Sequence, residues 1–137
     1  MLRFALPCLM LLASSCTMTA EQSARADAAA ARDEAKLDRQ LAGLVPQKPT
    51  SCLEERSANV TVYGDKLLYS SGRRYWMNQP SEGCFASGRN SDDIIVTKSI
   101  SGRLCAGDMV HTVSRSGGFP SGACTLGEFV PYTKPRG

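Results

Sequence analysis

Hydrophobic residues are distributed unevenly along this chain. Residues 4–13 form a continuous apolar run, residues 19–44 mix alanine with charged residues, and β-branched and aromatic runs separated by glycine dominate after residue 60. These three textures predict, in order, a targeting segment, a helix and a set of short strands.

The first apolar run has the features of an export signal. Arg3 supplies a positive charge before it, and the small residues Ala13, Ser14 and Ser15 follow it. The run is too short to span a bilayer, which takes roughly 20 apolar residues. We therefore predict that residues 1–15 are a signal peptide that is removed on export.

Cys16 directly follows the predicted cleavage point. The sequence Ala13-Ser14-Ser15-Cys16 resembles the lipobox of bacterial lipoproteins, although the usual leucine is replaced by Ala13. The resemblance implies that Cys16 is the lipid attachment site, and that acyl chains contributing about 0.8 kcal/mol per buried methylene hold the protein at a membrane. Thr17, where an aspartate often marks inner-membrane retention, favours the periplasmic face of the outer membrane. Ordinary cleavage after Ser15, giving a soluble periplasmic or secreted protein, is the alternative.

Residues 19–44 contain no proline and favour a helix. Thr19 and Gln22 have the spacing of a capping box, and Gly43 is a plausible C-terminal stop. The apolar stripe is confined to three leucines near the end, at Leu37, Leu41 and Leu44. Residues 16–44 are thus predicted to be a lipid-anchored helical spacer whose leucine end docks on the globular part or pairs with another copy. A plain spacer is favoured over a coiled coil.

A linker at 45–51, broken by prolines, precedes the predicted β domain, residues 52–132, and a tail at 133–137. The pattern predicts turns at Gly64 and Gly72, and a loop at 116–122. The predicted strands are 60–63, 66–70, 73–77, 93–98, 109–113 and 124–130. We expect a mainly β fold, a small antiparallel sandwich or barrel.

Four cysteines remain after the predicted signal and Cys16 are set aside. They are Cys52, Cys84, Cys105 and Cys124. In an exported domain of this size, which usually needs covalent support, they predict two disulfides. We expect a nested pairing of Cys52 with Cys124 and Cys84 with Cys105. No C-x-x-C pair is present in the sequence, so a zinc site is disfavoured and no metal is predicted.

Composition and motifs give little indication of catalysis. Loss of Arg3 lowers the formal net charge from +3 to +2, a balance that argues against nucleic acid. His111 is the sole histidine and is interpreted as structural, sharing a strand face with Met109 and Val113. The pairs Glu54-Glu55 and Asp92-Asp93 do not converge, because neighbours on a strand point to opposite faces. With no G-x-S-x-G frame, we predict neither catalytic residues nor a cofactor.

The stretch 69–79 combines arginines with aromatic residues, which suits recognition of a protein, glycan or lipid headgroup. An ordinary hairpin with Trp76 in the core is the favoured interpretation. The pattern S-G-x-x-Y at 71–75 resembles the inhibitory loop of bacterial lysozyme inhibitors. The candidate binding residues are Ser71, Gly72, Arg73, Arg74, Tyr75 and Trp76.

From residue 37 to 132 the chain resembles a family of small exported proteins of Gram-negative bacteria with no established activity. The resemblance depends on "LAGL…PTSCL", "GDKLLY", "DDIIVTKS", "GRLCAGDMVHTV" and "GGFPSGACTLGEFVPY" in this order. The expected function is a non-catalytic envelope lipoprotein that binds a protein or glycan partner or has a structural role. The alternatives are a lysozyme inhibitor acting through residues 71–75 and a small envelope hydrolase.

Overall fold

The computed structural model describes residues 19–54, 57–85 and 93–137. Within these ranges lie one helix, α1 (Ala20–Gln40), and eight strands. The strands are β1 (Val45–Pro46), β2 (Asn59–Tyr63), β3 (Lys66–Ser71), β4 (Arg74–Asn78), β5 (Ile94–Lys98), β6 (Met109–Val113), β7 (Pro120–Thr125) and β8 (Phe129–Thr133). The predicted signal peptide and Cys16, like Glu55 and Asp92 of the carboxylate pairs, lie outside the described residues.

Five strands form one antiparallel sheet in the order β1-β8-β4-β3-β2. Two-residue turns connect β2 to β3 and β3 to β4, and each begins with a glycine at φ of +61°, Gly64 and Gly72. This is the backbone that type II′ hairpin turns require, and glycine adopts it at no steric cost. The predicted turns are therefore confirmed at both positions.

The other three strands form a second antiparallel sheet in the order β5-β6-β7. The prediction for the last part of the chain was wrong. The expected loop at 116–122 and the single strand at 124–130 are replaced by β7 and β8, which belong to different sheets. The chain crosses between the sheets at residues 126–128, where Asn78 binds the backbone of Gly127. A local pattern does not reveal such a crossing, because residues on both sides of it are β-prone.

The two sheets pack around one hydrophobic core, which confirms the expected mainly β antiparallel architecture. Cross-strand partners place Leu67, Tyr69 and Trp76 on the inner face of the five-stranded sheet. Val110 and Cys124 face them from the second sheet, and the Tyr69 and Phe129 rings meet edge to face at 5.4 Å. Burial of such side chains is the main favourable term in folding.

Helix α1 lies on the opposite, outer face of the five-stranded sheet. Glu34 pairs with Lys66 of β3 at 3.5 Å, and the Gln40 side chain donates a hydrogen bond to the Tyr75 hydroxyl of β4. Leu37 of the helix is buried, and so is Leu68 on the sheet face that the helix covers. Residues 20–32 of the helix are exposed. The capping box at Thr19 is present. The leucine-rich end thus docks on the β domain, as one branch of the prediction expected.

Residues 45–51, expected to be a linker, are hydrogen-bonded to the five-stranded sheet. β1 pairs with β8, the Gln47 N–H donates to the Pro131 carbonyl, and Thr50 forms a bridge with Phe129. This stretch therefore extends the edge of the sheet and fixes the end of the helix relative to it.

All four predicted cysteines form disulfides, but the predicted nested pairing was wrong. The bonds join Cys52 to Cys105 and Cys84 to Cys124. Cys52 lies opposite Cys105 in an isolated antiparallel bridge, while Cys124 belongs to β7 and faces the core, where the segment after β4 brings Cys84. The nested proposal assumed that Cys124 lay on the last strand, and the sheet crossing described above removes that assumption.

Candidate binding cleft

A cleft of about 560 Å³ lies between helix α1, strand β2 and the three-stranded sheet. Its lining residues come from six parts of the chain. They are Asp33, Lys36, Val60, Thr61, Val62, Tyr63, Cys84, Phe85, Asp93, Ile94, Ile95, Thr112, Arg115 and Ser121.

The cleft runs along the outer edges of two strands. Four consecutive β2 residues line it, although Val60 and Val62 are on the inner sheet face and Thr61 and Tyr63 on the helix face. Because successive strand residues point to opposite faces, only a position at the strand edge contacts all four. Asp93, Ile94 and Ile95 line the cleft in the same way beside β5. β2 and β5 are the terminal strands of their sheets.

Hydrogen-bonded side chains form the polar part of the cleft. The Ser121 hydroxyl donates to Asp93 Oδ2 at 2.7 Å and lies 3.0 Å from Thr112 Oγ1. Thr112 in turn donates to the carbonyl oxygen of Cys84 at 3.1 Å. The register of β6 and β7 shifts at Thr112/Val113, and Ser121 lies at this irregularity. Bulges commonly redirect a side chain in this way.

Charged residues of the helix form the opposite wall. Asp33 is buried although it lies on a helix that is otherwise mostly exposed, and Lys36 lies 3.6 Å from its carboxylate. Lys36 itself is exposed. A buried carboxylate and an exposed ammonium group thus lie at this wall, while Val60 and Ile94 add apolar surface.

The candidate binding residues at 71–75 form a separate site, the β3–β4 hairpin tip. Gly72, Arg73 and Arg74 are exposed, whereas Ser71 and Tyr75 are half-buried. The hydroxyl of Tyr75 accepts the hydrogen bond from Gln40, so the base of the tip is tied to the end of the helix.

Trp76 is part of the core and not of this surface. Only 6% of it is exposed, and the Arg74 guanidinium lies 5.5 Å from its ring centroid. The favoured interpretation of the stretch, a hairpin with its tryptophan inside and its arginines outside, is confirmed. Trp76 is thereby removed from the candidate binding residues.

His111 lies on the outer face of β6 with Met109 and Val113, as predicted, and its cross-strand neighbours are Val96 and Ala123. Thr112 and the cleft lie on the other side of the strand. The imidazole and the Ser121 hydroxyl are therefore on opposite faces of the sheet.

The described residues contain no group of three or more histidine, cysteine, aspartate or glutamate side chains arranged to hold a metal ion. In the same ranges, no helix has both the length and the apolar character needed to cross a membrane.

Sequence reasoning missed the polar part of the cleft. The sequence pattern predicts Ser121 in a loop and Thr112 and Asp93 in separate strands, with nothing that brings the three together. A signal for Ser121 was available in the small residues around it. A Cβ at Gly122 would collide with the carbonyls of Gly83 and Cys84, so the glycine permits the close approach that brings these residues together.

Comparisons of the chain with protein-family models, with curated proteins and with solved structures found no match. The resemblances to lipoproteins, lysozyme inhibitors and small exported proteins therefore stay predictions.

Proposed function

We propose that this chain is a non-catalytic lipoprotein of the bacterial envelope, anchored through Cys16, whose β domain binds its ligand in the cleft beside β2. The observation that carries the proposal is the cleft itself. Its volume falls within the range of about 300–1,000 Å³ that is typical of ligand sites, and it combines apolar walls with a few fixed polar groups.

The hydrogen bonds in the cleft favour binding over catalysis. An activated serine needs a base strong enough to take its proton. The Ser121 hydroxyl donates to the carboxylate of Asp93, a weak base, and the sole histidine of the chain, His111, lies on the opposite face of the sheet. The Thr112 hydroxyl likewise donates its hydrogen bond to a backbone carbonyl, that of Cys84. Groups held in this way are suited to orient a ligand.

The two disulfides support a location in the envelope. Disulfides persist in oxidising compartments such as the bacterial periplasm and are rare in the cytosol. Together with the predicted signal peptide and the lipobox resemblance, they favour an exported protein held at the periplasmic face of the outer membrane.

Ligand binding is tested by obstructing the cleft. Thr61→Arg places a long side chain at the exposed wall of β2, and Thr133→Arg makes the same change at an exposed position of β8 outside the cleft. The oxidised full-length proteins are used to capture components of an envelope extract, which are quantified by mass spectrometry. We expect one component to be retained by the native chain and Thr133→Arg but lost with Thr61→Arg.

Lys36→Glu gives an independent second variant, because it reverses a charge at the helix wall without adding bulk. Urea denaturation verifies that each variant is folded. If no captured component distinguishes the cleft variants from Thr133→Arg, binding in this cleft is ruled out.

The anchor is tested by the intact mass of the protein extracted from membranes. We expect a chain that begins at Cys16 and carries the added mass of acyl groups. A free amino group on Cys16 without added mass would exclude the anchor and leave the binding proposal in place.

A lysozyme inhibitor is the second candidate, because Gly72, Arg73 and Arg74 are exposed at a hairpin tip. In this case Tyr75→Ala should abolish inhibition of lysozyme by the intact protein. Tyr75→Phe, which removes only the hydroxyl that accepts the bond from Gln40, is the control for the position of the tip. Lack of inhibition by the native chain would reject this candidate.

An envelope hydrolase, the remaining alternative, has the hydroxyl of Ser121 in the cleft as its one supporting feature. Purified protein assayed on murein, esters and peptides should show turnover that Ser121→Ala abolishes. Turnover that Ser121→Ala leaves unchanged, or no turnover on any of the three, would count against it.

A further inference from the structure

Exposed apolar residues are concentrated on one part of the molecule. Of the seven large hydrophobic side chains exposed among the described residues, five belong to β5, β6 and their connecting loops. They are Ile94, Val96, Ile100, Met109 and Phe119. The two that lie in loops, Ile100 and Phe119, are the most exposed, at 101% and 74%.

The register of the three-stranded sheet places three of these residues, Ile94, Val96 and Met109, on one surface. On its outer face Ile94 is paired with Val113, Val96 with His111, and Lys98 with Met109. Ala123 of β7 continues the His111 row. We call this surface, together with Ile100 and Phe119 at its two ends, the outer apolar face. Patches of this kind mark protein or membrane interaction sites.

The exposed charges that the three-stranded sheet and its loops contribute have a single sign. Among the described residues from 93 to 125, the exposed charged side chains are Lys98, Arg103 and Arg115. The two acidic residues of this range, Asp93 and Asp108, are half-buried and accept hydrogen bonds from Ser121 and from the Cys105 backbone. The face is therefore apolar with a cationic margin.

We infer that the outer apolar face docks on the surface of an anionic lipid bilayer. Apolar side chains enter the boundary between headgroups and acyl chains, and lysines and arginines near the surface are attracted to anionic headgroups. A second copy of this chain would satisfy the apolar residues, but a symmetric contact would bring the cationic margins of both copies together. Like charges juxtaposed in an interface oppose association.

This inference adds a second membrane contact to the proposed anchor and depends on the anchor only for proximity. Acyl chains on Cys16 would hold the chain near a bilayer of any composition. The outer apolar face would instead distinguish anionic from zwitterionic lipid, and it would orient the domain relative to the membrane.

Two native methionines, Met109 and Met77, can report whether the outer apolar face contacts lipid. Met109 is 47% exposed within the face, whereas Met77 is half-buried on the outer surface of the other sheet. The full-length protein is treated with hydrogen peroxide in the presence of vesicles, and methionine sulfoxide is measured at each site by peptide mass spectrometry. We expect oxidation of Met109 to slow with phosphatidylcholine vesicles that contain phosphatidylglycerol and not with phosphatidylcholine alone. The rate at Met77 should be the same with both.

Charge reversal tests the cationic margin. Lys98→Glu with Arg103→Glu should weaken association with the anionic vesicles by about tenfold or more and remove the protection of Met109. Lys134→Glu with Arg136→Glu makes the same change in charge at exposed positions of the C-terminal tail and should leave the protection in place. Added salt should weaken the native association in the same direction.

Two results would overturn the inference. One is an equal rate of Met109 oxidation with the two kinds of vesicle. The other is protection that appears without lipid and grows with protein concentration, which would identify a second copy as the occupant. Neither result changes the mass expected at Cys16, so failure of this inference and failure of the anchor are distinguishable.

Discussion

At the scale of single residues, the most informative positions are buried polar groups. Asn78 is fully buried at the end of β4, where its side-chain nitrogen donates to the carbonyl of Gly127 at 2.7 Å and its oxygen accepts from the Gly127 N–H at 3.0 Å. These bonds fix the crossing between the two sheets. A sequence pattern suggests only that an asparagine followed by Gln-Pro ends a strand.

Replacing Asn78 by alanine should lower the free energy of unfolding by about 2–4 kcal/mol, because it leaves buried backbone groups without partners and opens a small void. Asn59→Ala, the same change at an exposed position of β2, should cost less than about 0.5 kcal/mol. Urea denaturation measures both. Equal losses for the two variants would mean that the bonds to Gly127 do not stabilise the fold.

Tyr69 differs from Asn78 in how its buried polar group is satisfied. Its ring is buried in the core, and its hydroxyl has no well-formed hydrogen bond among the described residues. Burial raises the pKa of Tyr69 to about 12, an effect that the nearby Thr97 side chain partly offsets. The folded protein therefore holds this proton more tightly than the unfolded chain does.

Stability should consequently fall as the pH rises from about 10 to 12, because the unfolded chain loses the proton of Tyr69 first. The loss attributable to Tyr69 should reach roughly 1 kcal/mol by pH 11. Tyr69→Phe should be as stable as the native chain at pH 7, within about 1 kcal/mol, since the lost hydroxyl has only a weak contact with Thr97 and no well-formed hydrogen bond among the described residues. The measurement is the difference in unfolding free energy between the two chains at pH 9 and at pH 11. A difference that does not change with pH would contradict this assignment.

At the scale of elements, helix α1 has two halves with different roles. The alanine-rich first half is exposed, whereas the second half packs on the five-stranded sheet through Leu37 and contacts Lys66 and Tyr75. The sequence predicted this division, because its leucines occur only near the end. It did not predict the burial of Asp33, which depends on where the cleft lies.

Leu37→Ala should weaken this packing by about 2–4 kcal/mol, the usual cost of removing a buried leucine side chain. We expect faster hydrogen exchange of the amides in the second half of α1, with little change in β3 and β4. Leu41→Ala, at a half-buried position, is the matched control and should have a smaller effect. Unchanged exchange in α1 of Leu37→Ala would show that Leu37 does not hold the helix on the sheet.

At the scale of the whole molecule, two disulfides support a small core. They close loops of 53 and 40 residues, so chain entropy favours the Cys52–Cys105 bond by only about 0.2 kcal/mol. Burial differs more, since Cys84 and Cys124 are 4% and 6% exposed and the other pair is half-buried. Burial should therefore decide which bond contributes more.

Replacing both cysteines of a pair by alanine should cost about 2–5 kcal/mol in each case. The loss should be larger for Cys84→Ala with Cys124→Ala, because this double variant also removes two sulfur atoms from the core and leaves a void. Urea denaturation of the oxidised proteins provides the comparison. A larger loss for the Cys52 and Cys105 pair would show that burial is not the deciding factor.

The sequence by itself determined the local features of this protein. The use of four cysteines in disulfides follows from the predicted export and the small size of the domain. The helix and its cap at Thr19, the hairpins turning at Gly64 and Gly72 and the antiparallel β class follow from short-range patterns. Each depends on backbone preference or hydrophobic period within a few residues, and such preferences can be derived from neighbouring positions. The outward position of His111 and the inward position of Trp76 follow from strand alternation in the same way.

Only the tertiary structure decided which distant segments meet. It paired Cys52 with Cys105, divided the end of the chain between two sheets, attached residues 45–51 to β8 and brought Ser121 to Asp93. It also gathered Ile94, Val96 and Met109 on one face beside a cationic margin. These features depend on the order of strands in the sheets and on the crossing held by Asn78. Strand order is set by packing of the entire core and has no local counterpart in the sequence.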